Sequence, residues 1–211
     1  MRDDTIEIGL PGVIRALARS EMPLLREHLL RLDSESRHDR FNGFADESFI
    51  ERYAAKCQAD GTMVIAYLEN GKVLAAAELH PPGSEPDSQP EVAFSVERPV
   101  RRKGLGSILF QQLIEEAKRK GYDSLRITTG SQNEAMRALA NKFGAHLTFR
   151  YGESTGEIDL RQQAAAHPSA SAALTASPAN WLKAFARVNR DYWDWIFRLY
   201  GLGRIVPWSL R

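Results

Sequence analysis

Residues 91–107 read Glu-Val-Ala-Phe-Ser-Val-Glu-Arg-Pro-Val-Arg-Arg-Lys-Gly-Leu-Gly-Ser. From Glu91 to Val96 the side chains alternate, with Val92, Phe94 and Val96 set against Glu91, Ala93 and Ser95. That period of two predicts a half-buried strand. A basic loop containing Gly104 and Gly106 follows and opens a helix predicted over Ser107–Lys120. Leu109, Leu113 and Ala117 form one ridge of that helix, with Phe110 and Ile114 beside it. Lys118, Arg119 and Lys120 suit its negative end, and Gly121 suits the position just past it. The order strand, glycine loop, helix has chemical consequences. Glycines let the backbone turn tightly and approach a ligand closely. The unpaired amides at a helix start carry about half a positive charge from the helix dipole. Arg101, Arg102 and Lys103 add formal charge, so the loop is an anion pocket matched to a pyrophosphate. Two nucleotide motifs are excluded. In a Walker loop the lysine follows the last glycine, whereas Lys103 precedes the first, and a dinucleotide fingerprint needs glycine at position 109, which is Leu.

The flanking sequence alternates strand and helix signals. Val13–Leu17 is a short apolar run and reads as a strand. Glu21–Arg31 places Leu24, Leu25, His28, Leu29 and Leu32 on one helical stripe, and Asp46–Lys56 repeats this with Phe49, Ile50, Tyr53 and Ala54. Residues 62–69 and 72–80 flank Asn70-Gly71, a strong hairpin signal because both turn positions need positive φ. Pro81–Pro90 reads as a polar loop. Beyond the central helix, Leu125–Thr129 reads as a strand, and Ser131–Glu134 forms a capping box for a helix carrying Met136, Leu139 and Phe143. Gly144 ends that helix, and residues 146–151 and 154–160 read as a last hairpin. The sum is an α/β fold, a mixed and mostly antiparallel sheet flanked by helices.

Three spaced elements resemble the GCN5-related N-acetyltransferase (GNAT) superfamily. Val96, Arg101, Gly104 and Gly106 stand where that family has a strand ending in Val, then Arg-x-x-Gly-x-Gly opening a helix. Asn133, Met136, Leu139, Lys142 and Gly144 fit its second element. The run from Leu32 to Phe41 resembles a bacterial branch that includes protein-lysine acetyltransferases. Together they span roughly residues 8–160.

The resemblance implies a GNAT-like fold with acetyl-CoA bound where the 91–96 strand splays from the 125–129 strand. The pantetheine arm would pair with backbone near Val96, and the pyrophosphate would sit on the loop from Arg101 through Arg102, Lys103, Gly104, Leu105 and Gly106 to Ser107. Asn133 would hold the pantetheine or phosphate side. No metal is implied. Glu91 matches the strand glutamate that serves some members as general base, and an ammonium must lose a proton before it can attack a thioester. The residues alone leave Glu91 open between that role and a solvent-facing strand carboxylate. Its face-mates Ala93 and Ser95 are small enough to leave room for a cleft. Where many members carry a tyrosine that protonates the leaving thiolate, this chain has Ala140, which leaves Ser131, Tyr151 or water as donors. Arg37 and Arg40 fall on the substrate side by resemblance; the residues themselves read as helix-end solvation or structure. The implied activity is acetyl transfer to a primary amine of a small molecule or a protein lysine. The alternative is a non-catalytic acyl-CoA-binding module, for which Ala140 is the best support.

Composition bounds the remaining readings. The chain has 211 residues and a net charge of +1, with 43% hydrophobic and 26% charged residues. A disordered chain would be less apolar, and a nucleic-acid binder would usually be more basic. The lone cysteine, Cys57, excludes an internal disulfide, and it reads as a buried thiol. The five histidines lack ligand spacing. No leader-like run opens the chain, so the cytoplasm is the expected compartment. Residues 162–180, rich in Ala, Ser and Pro, read as a linker between a domain over 1–161 and a tail over 181–211 that holds all four tryptophans. Trp181, Phe185, Val188, Tyr192, Trp195 and Leu199 give the tail one helical stripe, expected to dock on the domain, on a second copy, on a membrane surface or on a protein partner. Residues 161–211 hold seven basic and two acidic side chains, so the near-neutral total is the sum of a basic tail and an acidic domain.

Overall fold

The computed structural model describes residues 6–7, 10–84, 88–150 and 152–161. The strands are β1 (Ile6–Glu7), β2 (Val13–Ala16), β3 (Met63–Glu69), β4 (Lys72–His80), β5 (Glu91–Val96), β6 (Ser124–Gly130), β7 (His146–Arg150) and β8 (Glu153–Asp159). The helices are α1 (Met22–Arg31), α2 (Ser34–Phe41), α3 (Glu47–Asp60), α4 (Leu105–Arg119) and α5 (Glu134–Lys142). One sheet runs in the order β1-β2-β3-β4-β5-β6-β8-β7, and every pair is antiparallel except β5–β6. The linker read at 162–180, the aromatic helix read at 181–199 and Tyr151 lie outside the described residues.

Local chemistry explains the main elements. Asn70 and Gly71 both take positive φ, 51° and 75°, and close the β3–β4 hairpin. Asp46 caps α3 by accepting from the Phe49 amide. The ridge of α4 lies buried on one sheet face: Leu109, Phe110, Leu113 and Ala117 pack with Ala75, Ala77, Leu79, Val92, Leu125, Ile127 and Ile158. Each such large side chain contributes about 1.5–3 kcal/mol. On the opposite face, α1 and α3 cover β3 and β4 through Leu25, Leu29, Ile50 and Cys57 on Val64, Ala66, Val73 and Ala76. That second cluster takes no residue from β6, β8 or β7.

Three expectations shift. The central helix starts at Leu105, because Gly104, at φ 81°, is already its cap; Gly106 and Ser107 therefore sit in the first turn. The last helix is capped by Asn133, whose Oδ1 accepts from the Met136 amide at 3.0 Å, and not by Ser131. Helix α2 was not anticipated as an element, since Ser34–Phe41 carries no apolar stripe. It is held by its cap, Asp33 accepting from Ser36 N, by the Arg37 guanidinium on the carbonyls of Leu30 and Leu32, and by ion pairs of Arg98 to Asp33 and Glu35.

Candidate active site

Strands β5 and β6 are joined by only two register pairs, Glu91↔Arg126 and Val92↔Ile127. From Ala93 onward β5 has no β6 partner, so the two strands open into a wedge. The pairing also shows which backbone groups face it. Arg126 N donates to Pro90 O, and Glu97 N donates to Leu74 O, so odd-numbered residues of β5 bond to β4 and even-numbered ones face β6. The amide and carbonyl of Phe94 and the amide of Val96 thus line the wedge. The Val96 carbonyl accepts from Arg101 Nε at 2.9 Å.

The basic loop closes the wide end. Arg101 ties the loop to α2: besides Val96 O, its guanidinium holds Ser36 Oγ at 2.7 Å. Its amide is spent on Arg98 O, and that of Ser107 on Gly104 O. Among the described residues, no backbone bond engages the amides from Arg102 to Gly106 and no partner holds the exposed Arg102 and Lys103 side chains. Arg102 takes a positive φ of 58°, in the left-handed region. A Cβ added at Gly106 would meet only Leu139 Cδ2, at 3.5 Å, so the protein's own packing does not demand glycine there. Lys142 Nζ reaches Ser107 Oγ at 3.0 Å and brings a further cation to the helix start, its pKa lowered by burial. Asn133, at the far side, has committed Oδ1 to its cap; its Nδ2 makes only a long contact, 3.4 Å, to Asp39 O. Buried Thr129 Oγ1, two residues past the last β5 partner of β6, has no hydrogen-bond partner among the described residues.

This arrangement suits an extended amide-bearing arm ending in a pyrophosphate. A free strand edge, an orphaned buried hydroxyl and a loop of free amides at a helix start are the groups such a ligand would satisfy.

Glu91, Ala93 and Ser95 share a face, as expected, but they do not share a cleft. Ser95 is buried under α1: its hydroxyl donates to His28 Nε2 at 2.8 Å, and His28 Nδ1 donates to Glu97 Oε1 at 2.9 Å. That is the bonding order of an activated serine. His28 is 0% exposed, however, so the chain works as a rivet between α1 and β5. Glu91 lies half-exposed, and its carboxylate makes no bond among the described residues.

A second polar cluster, whose members lie too far apart in the chain for local patterning to assemble it, lies beside Ala93. Glu78, fully buried on β4, accepts from Arg40 at 2.8 Å and from Tyr53 Oη at 2.6 Å. Tyr53 also meets Arg40 and, at 3.0 Å, His80 Nε2. The single phenolic proton goes to Glu78, so His80 donates through Nε2 and accepts from Thr62 through Nδ1. Arg40 is therefore no solvated helix end: its side chain is 8% exposed and neutralises Glu78. Burial is the largest single influence and would raise the Glu78 carboxyl, but the charge of Arg40 together with His80 and the Tyr53 hydroxyl outweighs it and holds the pKa well below the usual carboxylate range. Burial, reinforced by the charge of Glu78, pushes the Cys57 thiol up to about 11. Cys57, Glu78 and His80 offer three metal-type ligand atoms within 4.8 Å of one another, yet the carboxylate is already matched by a guanidinium and the thiol is protonated at neutral pH. The donor set does not fit a cation. Ala140 is fully buried in the α4-side core and offers no proton. No described helix is long and apolar enough to cross a membrane.

Residues 28–145 match the sequence profile described as the Acetyltransferase (GNAT) family. Solved structures agree on the fold. The GNAT domain of S. lividans PAT superposes with a TM-score of 0.60 at 18% identity, covering 74% of this chain and 96% of that one. The Salmonella typhimurium protein yncA, solved with its cofactor acetyl-CoA, gives 0.54 at 20% identity over 76% and 98%. An N-acetyltransferase from Thermoplasma acidophilum in complex with coenzyme A gives 0.52 at 16% over 71% and 99%.

Proposed function

The chain belongs to the GNAT acetyltransferase family, and we propose that it transfers the acetyl group to a primary amine by direct attack, with both substrates bound at once. Acetyl-CoA is its co-substrate and the activity is acetyl-CoA-dependent N-acetyl transfer. The observation that carries the reading is the wedge: two register pairs, then a free strand edge leading to a loop of unpaired amides. Bound acetyl-CoA supplies a thioester carbonyl activated for acyl transfer. The Phe94 and Val96 amides are the chain's donors for an extended arm along β5 and for a carbonyl oxygen that gains charge. Arg102, Lys103 and the amides through Gly106 take the pyrophosphate, with Lys142 and the α4 dipole behind them. Asn133 contributes through Nδ2 alone.

Glu91 acts as general base at the closed end of the wedge. The ammonium gives a proton to its carboxylate; the free amine forms the new C–N bond as the C–S bond breaks, the electron pair leaves on sulfur, and the second nitrogen proton passes to water to give the neutral amide. With Ala140 in place of a tyrosine, the thiolate departs unassisted or takes a proton from water, which a thiol pKa near 8.5 permits. In this reading residues 1–161 are the catalytic domain, 162–180 a tether and 181–211 an appendage.

Calorimetric titration with acetyl-CoA, followed by CoA release in the presence of amines, tests the proposal. Saturable binding with amine-dependent release supports it. Binding without release for any amine would leave a non-catalytic cofactor module, and absence of binding would remove the reading altogether.

A further inference from the structure

The strand register aligns five ionisable side chains in one row across the sheet. His80 on β4 pairs with Glu91 on β5, Glu91 with Arg126 on β6, Arg126 with Glu157 on β8, and Glu157 with His146 on β7. Register partners share a face, so all five lie on the side of the sheet that carries α1 and α3, whose apolar cluster takes no residue from β6, β8 or β7. Beyond Glu91 the row is open. The side chains of Glu91, Arg126, Glu157 and His146 make no hydrogen bond or ion pair among the described residues. A hollow of about 460 Å³ lies there, lined by Gln89, Arg126, His146, Thr148, Thr155 and Glu157. Its size falls within the range of small-molecule sites. It also adjoins the apex of the wedge, since Val92, the last residue of β5 paired to β6, directly follows Glu91.

We propose that this hollow seats the acceptor, and that the acceptor is a free α-amino acid whose carboxylate is held by Arg126 while its ammonium faces Glu91. The inference rests on the acetyltransferase reading above and adds the substrate class. Adjacent strands stand about 4.8 Å apart, so Glu91 and Arg126 present opposite charges at a separation that one zwitterion can span. A guanidinium fork matches a carboxylate in a bidentate pair. The same cation disfavours a polyamine, which would have to lay positive charge along the row. A simple alkylamine would leave Arg126 without its counter-charge. Gln89, Thr148 and Thr155 offer neutral hydrogen bonds to the rest of the molecule.

The test uses the full chain, with CoA release followed across the common α-amino acids, their α-carboxamides, the corresponding decarboxylated amines and lysine-containing peptides. At least one free amino acid should exceed its carboxamide and its decarboxylated amine by about 100-fold in kcat/KM, a ratio worth about 2.7 kcal/mol. Arg126→Gln should collapse that ratio to within about threefold, mostly through KM, and leave calorimetric acetyl-CoA affinity unchanged; Arg126→Lys should keep part of the preference. Arg126 is exposed, so the variants should fold. Equal turnover of acid and carboxamide, turnover of lysine peptides alone, turnover of no amine, or an undiminished ratio in Arg126→Gln would overturn the proposal. With acetyl-CoA still bound and any amine still turned over, those outcomes leave the acetyltransferase reading standing; loss of acetyl-CoA binding in the unmodified protein would remove both.

Discussion

The edge and the face of β5 are built in different ways. The edge works through backbone: amides of Phe94 and Val96, and a loop whose glycines and free N–H groups follow within ten residues along the chain. The face works through side chains delivered by strands distant in sequence, so that the register sets Glu91 in one row with His80, Arg126 and, one strand further, Glu157. Ligand recognition by an edge tolerates many side chains and demands a conformation. Recognition by a face tolerates many conformations of the neighbours and demands particular side chains. Substitutions should therefore separate the two.

The largest effect is expected on the edge. Gly106→Arg places a long side chain in the first turn of α4, where a Cβ alone is accommodated at 3.5 Å from Leu139 and the remainder must enter the cradle of amides. Acetyl-CoA affinity should fall by at least about 100-fold, about 2.7 kcal/mol, with the thermal midpoint little changed. Retained affinity in calorimetry would break the assignment of the loop. On the face, Glu91→Gln removes a proton acceptor while preserving shape. Turnover at neutral pH should drop by roughly 100-fold or more, with acetyl-CoA affinity intact; an unaltered pH–rate profile would take the base role away from Glu91.

The difference in construction also explains what the sequence disclosed. The wedge-forming strand, the anion loop, the Asn70-Gly71 hairpin and the following helix are legible because each is decided by neighbours in the chain: alternation, glycine positions, caps. The register is not local. Nothing in a linear reading brings Arg40 under Glu78, sets His28 on Ser95 or aligns Glu91 with Arg126, because those contacts depend on how strands slide against each other and how α2 folds back. Even within the readable motif, the roles of individual residues depended on tertiary contacts. Arg101 reads as a phosphate ligand, and its guanidinium also clasps Val96 and Ser36. Ser95 reads as room for a cleft and instead lies under α1.

The buried cluster on the same face gives a test of stability. Glu78→Ala would strand the Arg40 guanidinium in the interior, at a cost of about 3–5 kcal/mol, measurable as a lower urea midpoint at pH 7. The folded-state pKa of Glu78 is depressed. Its contribution is therefore present above the unfolded carboxylate value near 4.3 and is lost as pH falls toward the folded value. The gap between the protein and Glu78→Ala should accordingly narrow below about pH 4. A gap independent of pH would mean that packing, and not the ion pair, carries the effect.

The smallest predicted effect bears on the boundary between edge and scaffold. Asn133 Oδ1 caps α5, and losing such a cap costs about 1 kcal/mol. Asn133→Ala should show that loss in thermal or urea unfolding whatever else the residue does. Asn133→Asp keeps the capping oxygen and replaces the amide nitrogen, the atom left for a ligand, with an acceptor beside a negatively charged co-substrate. If Asn133 serves only as a cap, Asn133→Asp should be as stable as the parent and bind acetyl-CoA equally well. If Nδ2 holds the co-substrate, stability should be kept while affinity falls by about tenfold, about 1.4 kcal/mol. The second outcome is the one expected, because among the described residues Nδ2 is occupied only by a 3.4 Å contact to Asp39 O.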